Sequence, residues 1–299
     1  MSRSDRASPY LFLAVPMAVL AIFTIVPTLA GLGLSLFQWD GTGWPRFVGI
    51  GNFRRLSEDA RFWPALINTL VFVVLTVPAA TLAGFALATA VHAKWFRGRS
   101  LARTALFLPT IVSIIAIGFV WRWLLEDKSG LLPGMLRGVG IDSPDFLQGG
   151  TIVSIGGVNV LAWPMLSIII VQVWRTAGFC MVLYLAALSS ISDSLYEAAE
   201  VDGASPWQSL RAITIPQVRP MTAFLLITGV IGALQVFDLI WAMTVAAETD
   251  ATNVLNLYVL REFQRSRLGY AATIGVVIFA LTLAATAAQL WLLRARGER

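Results

Sequence analysis

"EAAEVDGASPWQSLRAITIPQVRP", residues 197–220, carries charges of both signs, one glycine and three prolines. Long apolar runs flank it on both sides, over about 162–188 and 220–244. Ser194 followed three residues later by Glu197 is a capping-box spacing, so a helix is expected to begin near 193–195. The Asp202-Gly203 pair stops that helix, since glycine alone enters the left-handed conformation without steric cost. Ser205-Pro206-Trp207-Gln208 is a second start signal, with serine as N-cap, proline at the first helical position and glutamine three residues on. The second helix is expected over about 206–213, failing before Pro216. Local chemistry therefore predicts a helix, a sharp turn and a second helix: a small rigid elbow between two apolar segments.

Those segments belong to a chain of 299 residues that is 57% hydrophobic and only 13% charged, with a mean hydropathy of +0.75. Soluble domains carry about 25% charged residues, so the composition points to a membrane protein. Six segments reach the ~20 apolar residues a bilayer-crossing helix needs. They fall at about 10–36, 64–91, 104–124, 162–188, 220–244 and 270–293. The charge-free run from Ala7 to Trp39 exceeds the 7–15 residues of a signal-peptide core, and is read as a retained first span. The fold class expected is all-α, a single polytopic domain over 1–299, with the elbow at 193–216 between the fourth and fifth spans.

Lysine and arginine in short loops and tails set the orientation. "HAKWFRGRSLAR" (92–103) holds four basic residues and no acid, the C-terminal "RARGER" has three arginines against one glutamate, and Arg3 and Arg6 precede the first span. An even number of spans puts these regions and the elbow on one side, the cytoplasmic one. The long outer loops, about 37–63, 125–161 and 245–269, include Arg54, Arg55, Arg261, Arg265 and Arg267, which weakens the bias without reversing it. Residues 127–159 are rich in glycine and turn formers and are expected to hold little regular structure beyond short helices.

Several function classes are excluded early. One cysteine, Cys180, and one histidine, His92, do not make a zinc site. Neither Lys94 nor Lys128 sits in a G-x-x-x-x-G-K-[ST] loop, so the chain has no phosphate loop for ATP. The net charge of +5 is explained by basic loops, and nucleic acid is not an expected partner. With no paired acids inside the spans, general acid–base chemistry has no candidates.

The elbow's spacing carries more information than its caps. Glu197-Ala198-Ala199, Gly203, Ile213, Ile215 and Pro216 resemble the EAA---G---------I-LP signature of ABC importer permease subunits. The match holds at six of seven fixed positions, with Ile215 standing where the signature has leucine. "GIGNFRRL" (49–56), "DARFWPALINTLVF" (59–72), "RTALFLPTIVSIIAIGFVWRWLL" (103–125) and "ALQVFDLIWAMT" (233–244) are similar to stretches of the maltose, glycerol-3-phosphate and oligosaccharide permeases, of the type placed first in the permease pair. "VAAETDATN" (245–253) departs from the Gly-Gly-Gly-Pro-like loop common there.

This resemblance implies a transmembrane subunit of an ATP-driven importer of a sugar or sugar-like solute, in a bacterial or archaeal plasma membrane with both termini cytoplasmic. The implied partners are a second permease subunit, a dimer of ABC ATPases, an extracytoplasmic solute-binding protein and the lipid bilayer. ATP and Mg would be bound by the ATPase, and no cofactor by this chain. The elbow would be the coupling helix, with Glu197, Ala198, Ala199, Asp202, Gly203, Ile213 and Pro216 facing the ATPase.

Polar and aromatic residues within the spans nominate a translocation pathway: Asn68, Trp174, Arg175, Gln235, Phe237 and Asp238. Arg175 and Asp238 lie roughly 21 and 27 Å from the cytoplasmic ends of their spans at 1.5 Å per residue. They either pair directly, or Arg175 snorkels or holds the partner subunit. Asn68 and Gln235 either meet substrate hydroxyls or join helices. An ion-coupled secondary transporter or channel using Arg175 and Asp238 is the alternative reading, and it leaves the elbow without a use.

Overall fold

Inside a bilayer every backbone amide must be satisfied within its own segment, so apolar runs of this length become helices. The computed structural model describes residues 3–93, 98–127, 129–155, 158–244 and 250–297. Chain order begins with α1 (Arg3–Leu20), a π turn at Ala21–Ile25, and α2 (Val26–Leu34). A two-residue ribbon follows, β1 (Phe37–Gln38) with β2 (Arg46–Phe47), then α3 (Gly51–Ser57) and α4 (Phe62–His92). Next come α5 (Arg99–Ile111), α6 (Ile114–Leu125), α7 (Leu131–Gly138), and an antiparallel hairpin of β3 (Thr151–Ile155) and β4 (Val158–Ala162). The long α8 (Trp163–Ser189) leads to α9 (Asp193–Val201) and α10 (Pro206–Ser209). After a π turn at Leu210–Thr214 the chain continues as α11 (Ile215–Gln217), α12 (Arg219–Leu234) and α13 (Asp238–Thr244). It ends in α14 (Leu255–Gln264) and α15 (Leu268–Gly297).

Among the described residues four helices are long and apolar enough to cross a membrane: Phe12–Leu34, Phe62–His92, Trp163–Ser189 and Leu268–Leu293. Counting each of two bent pairs as one span raises the number to six. The third expected span, about 104–124, is not one continuous helix but the first of these pairs, in which α5 and α6 meet at 96°. Val112 and Ser113 are extended there, and Ser113 restarts the helix by accepting from the Ile117 amide at 3.0 Å. The second pair, 206–217 with α12, bends by 60°. Residues 127–159, expected to hold little regular structure beyond short helices, include α7 as such a helix, whereas most of the β3–β4 hairpin, whose strands are separated in sequence by Gly156-Gly157, corrects that expectation.

Backbone contacts divide the chain into two units, 1–62 with 255–281, and 63–254 with 282–299. In the first, Asn52 ties the end of α2 to the ribbon: its buried amide donates to the carbonyls of Ser35 and Phe37, both at 2.9 Å. Thr273 donates to the same Ser35 oxygen at 3.2 Å. Below the ribbon, Asp59 Oδ2 accepts from the hydroxyls of Tyr258 and Tyr270, and Arg55 lies 4.8 Å over the Tyr270 ring.

Burial by itself raises the Asp59 pKa. The two tyrosine donors, the Arg61 amide and the Arg61 charge outweigh it and hold the carboxyl below the usual aspartate value. Burial and the Asp59 carboxylate both push the Tyr258 hydroxyl up, so it stays a donor. A carboxyl lowered in the folded state stabilises above its unfolded value, and the contribution is lost as pH falls through the lowered one. Asp59→Asn is therefore expected to cost about 2 kcal/mol, the scale of hydrogen bonds to a charged group. It should also flatten the acid limb of a thermal-unfolding series in detergent. An unchanged acid limb would remove Asp59 as its cause.

The second unit packs α4, α8 and α12 around Ala88, Val91, Met181, Tyr184, Leu188 and Leu225. Tyr184, 2% exposed, places its hydroxyl 2.9 Å from Thr222 Oγ1. Glycines set the closest approaches: a Cβ at Gly178 would collide with the Leu106 carbonyl of α5, one at Gly84 with Cys180, and one at Gly118 with Ala242 of α13. Small residues let backbones come this near where lipid and protein are equally apolar.

Candidate functional site

α9 begins where the sequence placed it, but not by the expected cap. Ser192 is the N-cap without a side-chain bond to the helix, and its hydroxyl sits 2.7 Å from that of Ser194. Ser194 is thus inside the helix, and the Ser194–Glu197 capping box does not form. At the other end Gly203 has φ +76°. Its amide donates to Glu200 O at 3.0 Å, and the Ala204 amide to Ala199 O at 2.9 Å. These are the two bonds of a Schellman closure, which satisfies carbonyls that a helix end otherwise leaves open.

The second start is a complete capping box. Ser205 N donates to Gln208 Oε1 at 2.7 Å, and Gln208 N to Ser205 Oγ at 3.4 Å. The helix then runs through Pro216, correcting the expected stop. Proline lacks a donor and its ring collides with the carbonyl four residues back. The π turn absorbs this by sending the Ile215 amide to Leu210 O, five residues back. The chain bends only after Gln217.

The two halves of the elbow are pinned to each other. Tyr196 Oη lies 2.9 Å from Oγ1 of Thr214, which is buried. A cleft of about 560 Å³ opens between the elbow and the ends of α4 and α8, lined by His92, Leu188, Tyr196, Glu200 and Leu210 among others. Glu197, Ala198, Asp202 and Gly203 are exposed, whereas Ala199, Ile213 and Pro216 are half-buried. Sequence spacing missed two exposed apolar side chains on the same element, Val201 at 87% and Trp207 at 68%.

The residues nominated within the spans are dispersed in role. Asn68 is buried, and its amide donates to Asp250 O at 2.6 Å and Asn253 O at 2.9 Å. It ties α4 to the 250–253 segment and borders a cavity of about 320 Å³ with Pro64, Thr151 and Asn159. The remainder of the atypical 245–253 stretch, residues 245–249, lies outside the described residues. Trp174 is exposed and packs edge-on against Trp121, a partner the sequence did not flag, at 5.6 Å between centroids. Arg175 is half-buried, and its Nε is buried without a hydrogen-bond partner. Asp238 is exposed in the first turn of α13, and the structure records no ion pair between it and Arg175. Gln235 and Phe237 lie in the break between α12 and α13, Gln235 exposed and Phe237 half-buried. Among the described residues no group of three His, Cys, Asp or Glu side chains is placed to hold a metal.

Up to six spans, with a closed and pinned elbow between the fourth and fifth, define a polytopic membrane permease. Residues 60–297 match the family described as binding-protein-dependent transport system inner membrane component, and the chain belongs to that family. Members are permease subunits, and in such importers hydrolysis of ATP and capture of solute fall to other chains.

The chain is 31% identical over 293 residues to the probable ABC transporter permease YurN of Bacillus subtilis (strain 168), covering 97% of each chain. It is 33% identical over 301 residues to the lactose transport permease LacF of Rhizobium radiobacter, covering 99% of this chain and 97% of that one. Among solved structures, a bacterial ABC transporter that imports the acidic polysaccharide alginate superposes with a TM-score of 0.82 at 26% identity, covering 97% and 96%.

Proposed function

We propose that the whole chain acts as one permease domain, half of the translocation pathway of an ATP-driven importer for a saccharide or a sugar-like solute. A second permease subunit supplies the other half, and two ATPases bind on the cytoplasmic side. An extracytoplasmic binding protein delivers the solute, and both termini lie in the cytoplasm. The observation that carries this reading is the elbow, closed at Gly203, capped at Ser205 and pinned through Tyr196 and Thr214. A lever that transmits force must not flex, and each of those three features removes a degree of freedom.

Glu197, Ala198, Ala199, Asp202, Gly203, Ile213 and Pro216 form or support the face that meets the ATPase. Trp207 extends it with an exposed aromatic side chain of the kind that anchors interfaces, and Val201 adds exposed apolar surface. Exposed charge pairs contribute little singly, so Glu197→Lys is expected to weaken retention of the ATPase on affinity purification only several-fold, and Trp207→Ala to weaken it more. Unchanged co-purification of both variants would remove this face from the contact. Trp174, Arg175, Gln235, Phe237 and Asp238 are assigned to the pathway, with Asn68 at its rim. The saccharide class is supported by the lactose and alginate systems to which the chain is similar. Titrating the co-purified binding protein with a panel of neutral and acidic oligosaccharides tests it, and binding of amino acids alone would overturn it.

A further inference from the structure

Among the described residues Arg175 has no counter-charge, although it stands halfway along a membrane span. It follows Trp163 by 12 residues and precedes Ser189 by 14, about 18 and 21 Å at 1.5 Å per residue. That is mid-depth in a ~30 Å hydrocarbon core. No helix long and apolar enough to cross, bent pairs included, contains an aspartate or glutamate. Asp238, beyond the end of α12, makes no ion pair with it.

The neighbouring polar side chains are turned elsewhere. Thr110 Oγ1 donates to the Arg175 backbone carbonyl at 3.0 Å. Gln172, one turn earlier, donates through Nε2 to Thr176 Oγ1 at 3.2 Å, and its own Oε1 is buried without a partner. With Nε of Arg175 shut away and the residue half-buried, Nη1 and Nη2 are left to meet an occupant.

Two further features lie at this level. Thr110 brings the end of α5 to Arg175, and the extended Val112-Ser113 that follows is exposed. Irregular backbone at membrane depth persists only inside protein or along a water-filled cavity. Trp174 is exposed and sits edge-on to Trp121 of α6. Tryptophan anchors gather at the two membrane surfaces, whereas this ring is mid-span. A charged group at such depth faces a pathway or a partner, and the open break and the bare ring favour the pathway. An apolar ring beside a guanidinium suits the C–H face of a sugar and an anionic substituent on it.

Taking the cargo to be the saccharide proposed above, we infer that it is an acidic one, whose carboxylate, sulfate or phosphate group is bound by Nη1 and Nη2 of Arg175 while its ring lies against Trp174. The guanidinium fork matches paired anionic oxygens. A neutral saccharide leaves that fork unsatisfied, which is how a site built for a polar group rejects an analogue lacking it.

Two measurements test this. The first needs no variant: the co-purified binding protein is titrated with digalacturonate, a sulfated disaccharide, a phosphorylated disaccharide, lactose and maltose. An acidic probe is expected to bind more tightly than either neutral one. Lactose or maltose binding as tightly as every acidic probe would overturn the acidic cargo and spare the saccharide reading. Binding of amino acids and of none of these probes would remove the saccharide reading itself. The second is uptake of the tightest-bound acidic probe by the complete transporter in liposomes with ATP and Mg, at matched amounts of assembled complex. Arg175→Gln is expected to lower it about tenfold or more, as for a lost hydrogen bond to a charged group. Arg175→Lys should fall in between, because the ammonium keeps the charge without the fork. Equal uptake by wild type and Arg175→Gln would overturn the site. So would an Arg175→Gln complex that loses its second permease subunit while Arg175→Lys retains it, because the guanidinium would then hold a carboxylate of that subunit.

Discussion

Gly203→Val is expected to cut ATP-driven uptake about tenfold or more while the protein stays in the membrane and the ATPase continues to hydrolyse ATP. The reason is handedness, because a Cβ at this position meets nothing within 4 Å. At φ +76° an L-residue costs about 1–2 kcal/mol, and a β-branched side chain costs more because the left-handed region excludes it. The chain escapes by opening the closure, which releases the Gly203 and Ala204 amides from Glu200 O and Ala199 O. About 1.4 kcal/mol of such strain shifts the population of the closed elbow tenfold. Motion of the ATPase is then absorbed in the hinge. The replacements should rank in order of left-handed tolerance, Asn mildest, Ala intermediate and Val most severe. Uptake by Gly203→Val at the wild-type rate would end the assignment of this turn as the coupling hinge.

Gly178→Leu should have a different phenotype, loss of the protein itself. The new side chain points at the Leu106 carbonyl and at the backbone beyond it. No rotamer clears backbone, so α5 must move away from α8. Overpacking costs about 1–3 kcal/mol where neighbours can adjust, and more is expected where they cannot. Membrane-fraction levels should fall severalfold, and the thermal midpoint of the remainder should drop. Gly178→Ala should lie between, and Gly232→Leu, where the added Cβ has open space, should match wild type. Wild-type levels of Gly178→Leu would mean that α5 and α8 are not seated closely in the membrane.

These two glycines differ in how far they can be read from sequence. Gly203 follows an aspartate, ends a polar helix and precedes a serine–proline start, so its neighbours specify its conformation. Gly178 stands in an apolar run that reads the same whether the residue touches lipid or another helix. Helix partnership has no local signature there, and Gly84 and Gly118 were equally silent. The break at Val112-Ser113 was hidden because both flanking segments are apolar, and hydropathy does not register direction. At the start of α9 two serines competed, and Ser192 took the cap that spacing assigned to Ser194. Pro216 reads as the end of the helix, because the π turn that carries the helix through it depends on one residue of register. The hairpin has a signal in two β-prone runs flanking Gly156-Gly157, which the reading of 127–159 as a turn-rich loop did not take up. Asn68 was legible as a polar residue in a span, but its acceptors lie more than 180 positions away in the chain.

A passive gate that a separate ATPase moves through its elbow carries no solute by itself. Reconstituting it in liposomes, alone and with its co-purified permease, ATPase and binding-protein partners, tests this most directly, with labelled oligosaccharide uptake as the readout. Uptake is expected only from the full set with ATP and Mg, with loss of that uptake in Gly203→Val, and none from the isolated chain under a proton or sodium gradient. Gradient-driven uptake by the chain alone would contradict that expectation.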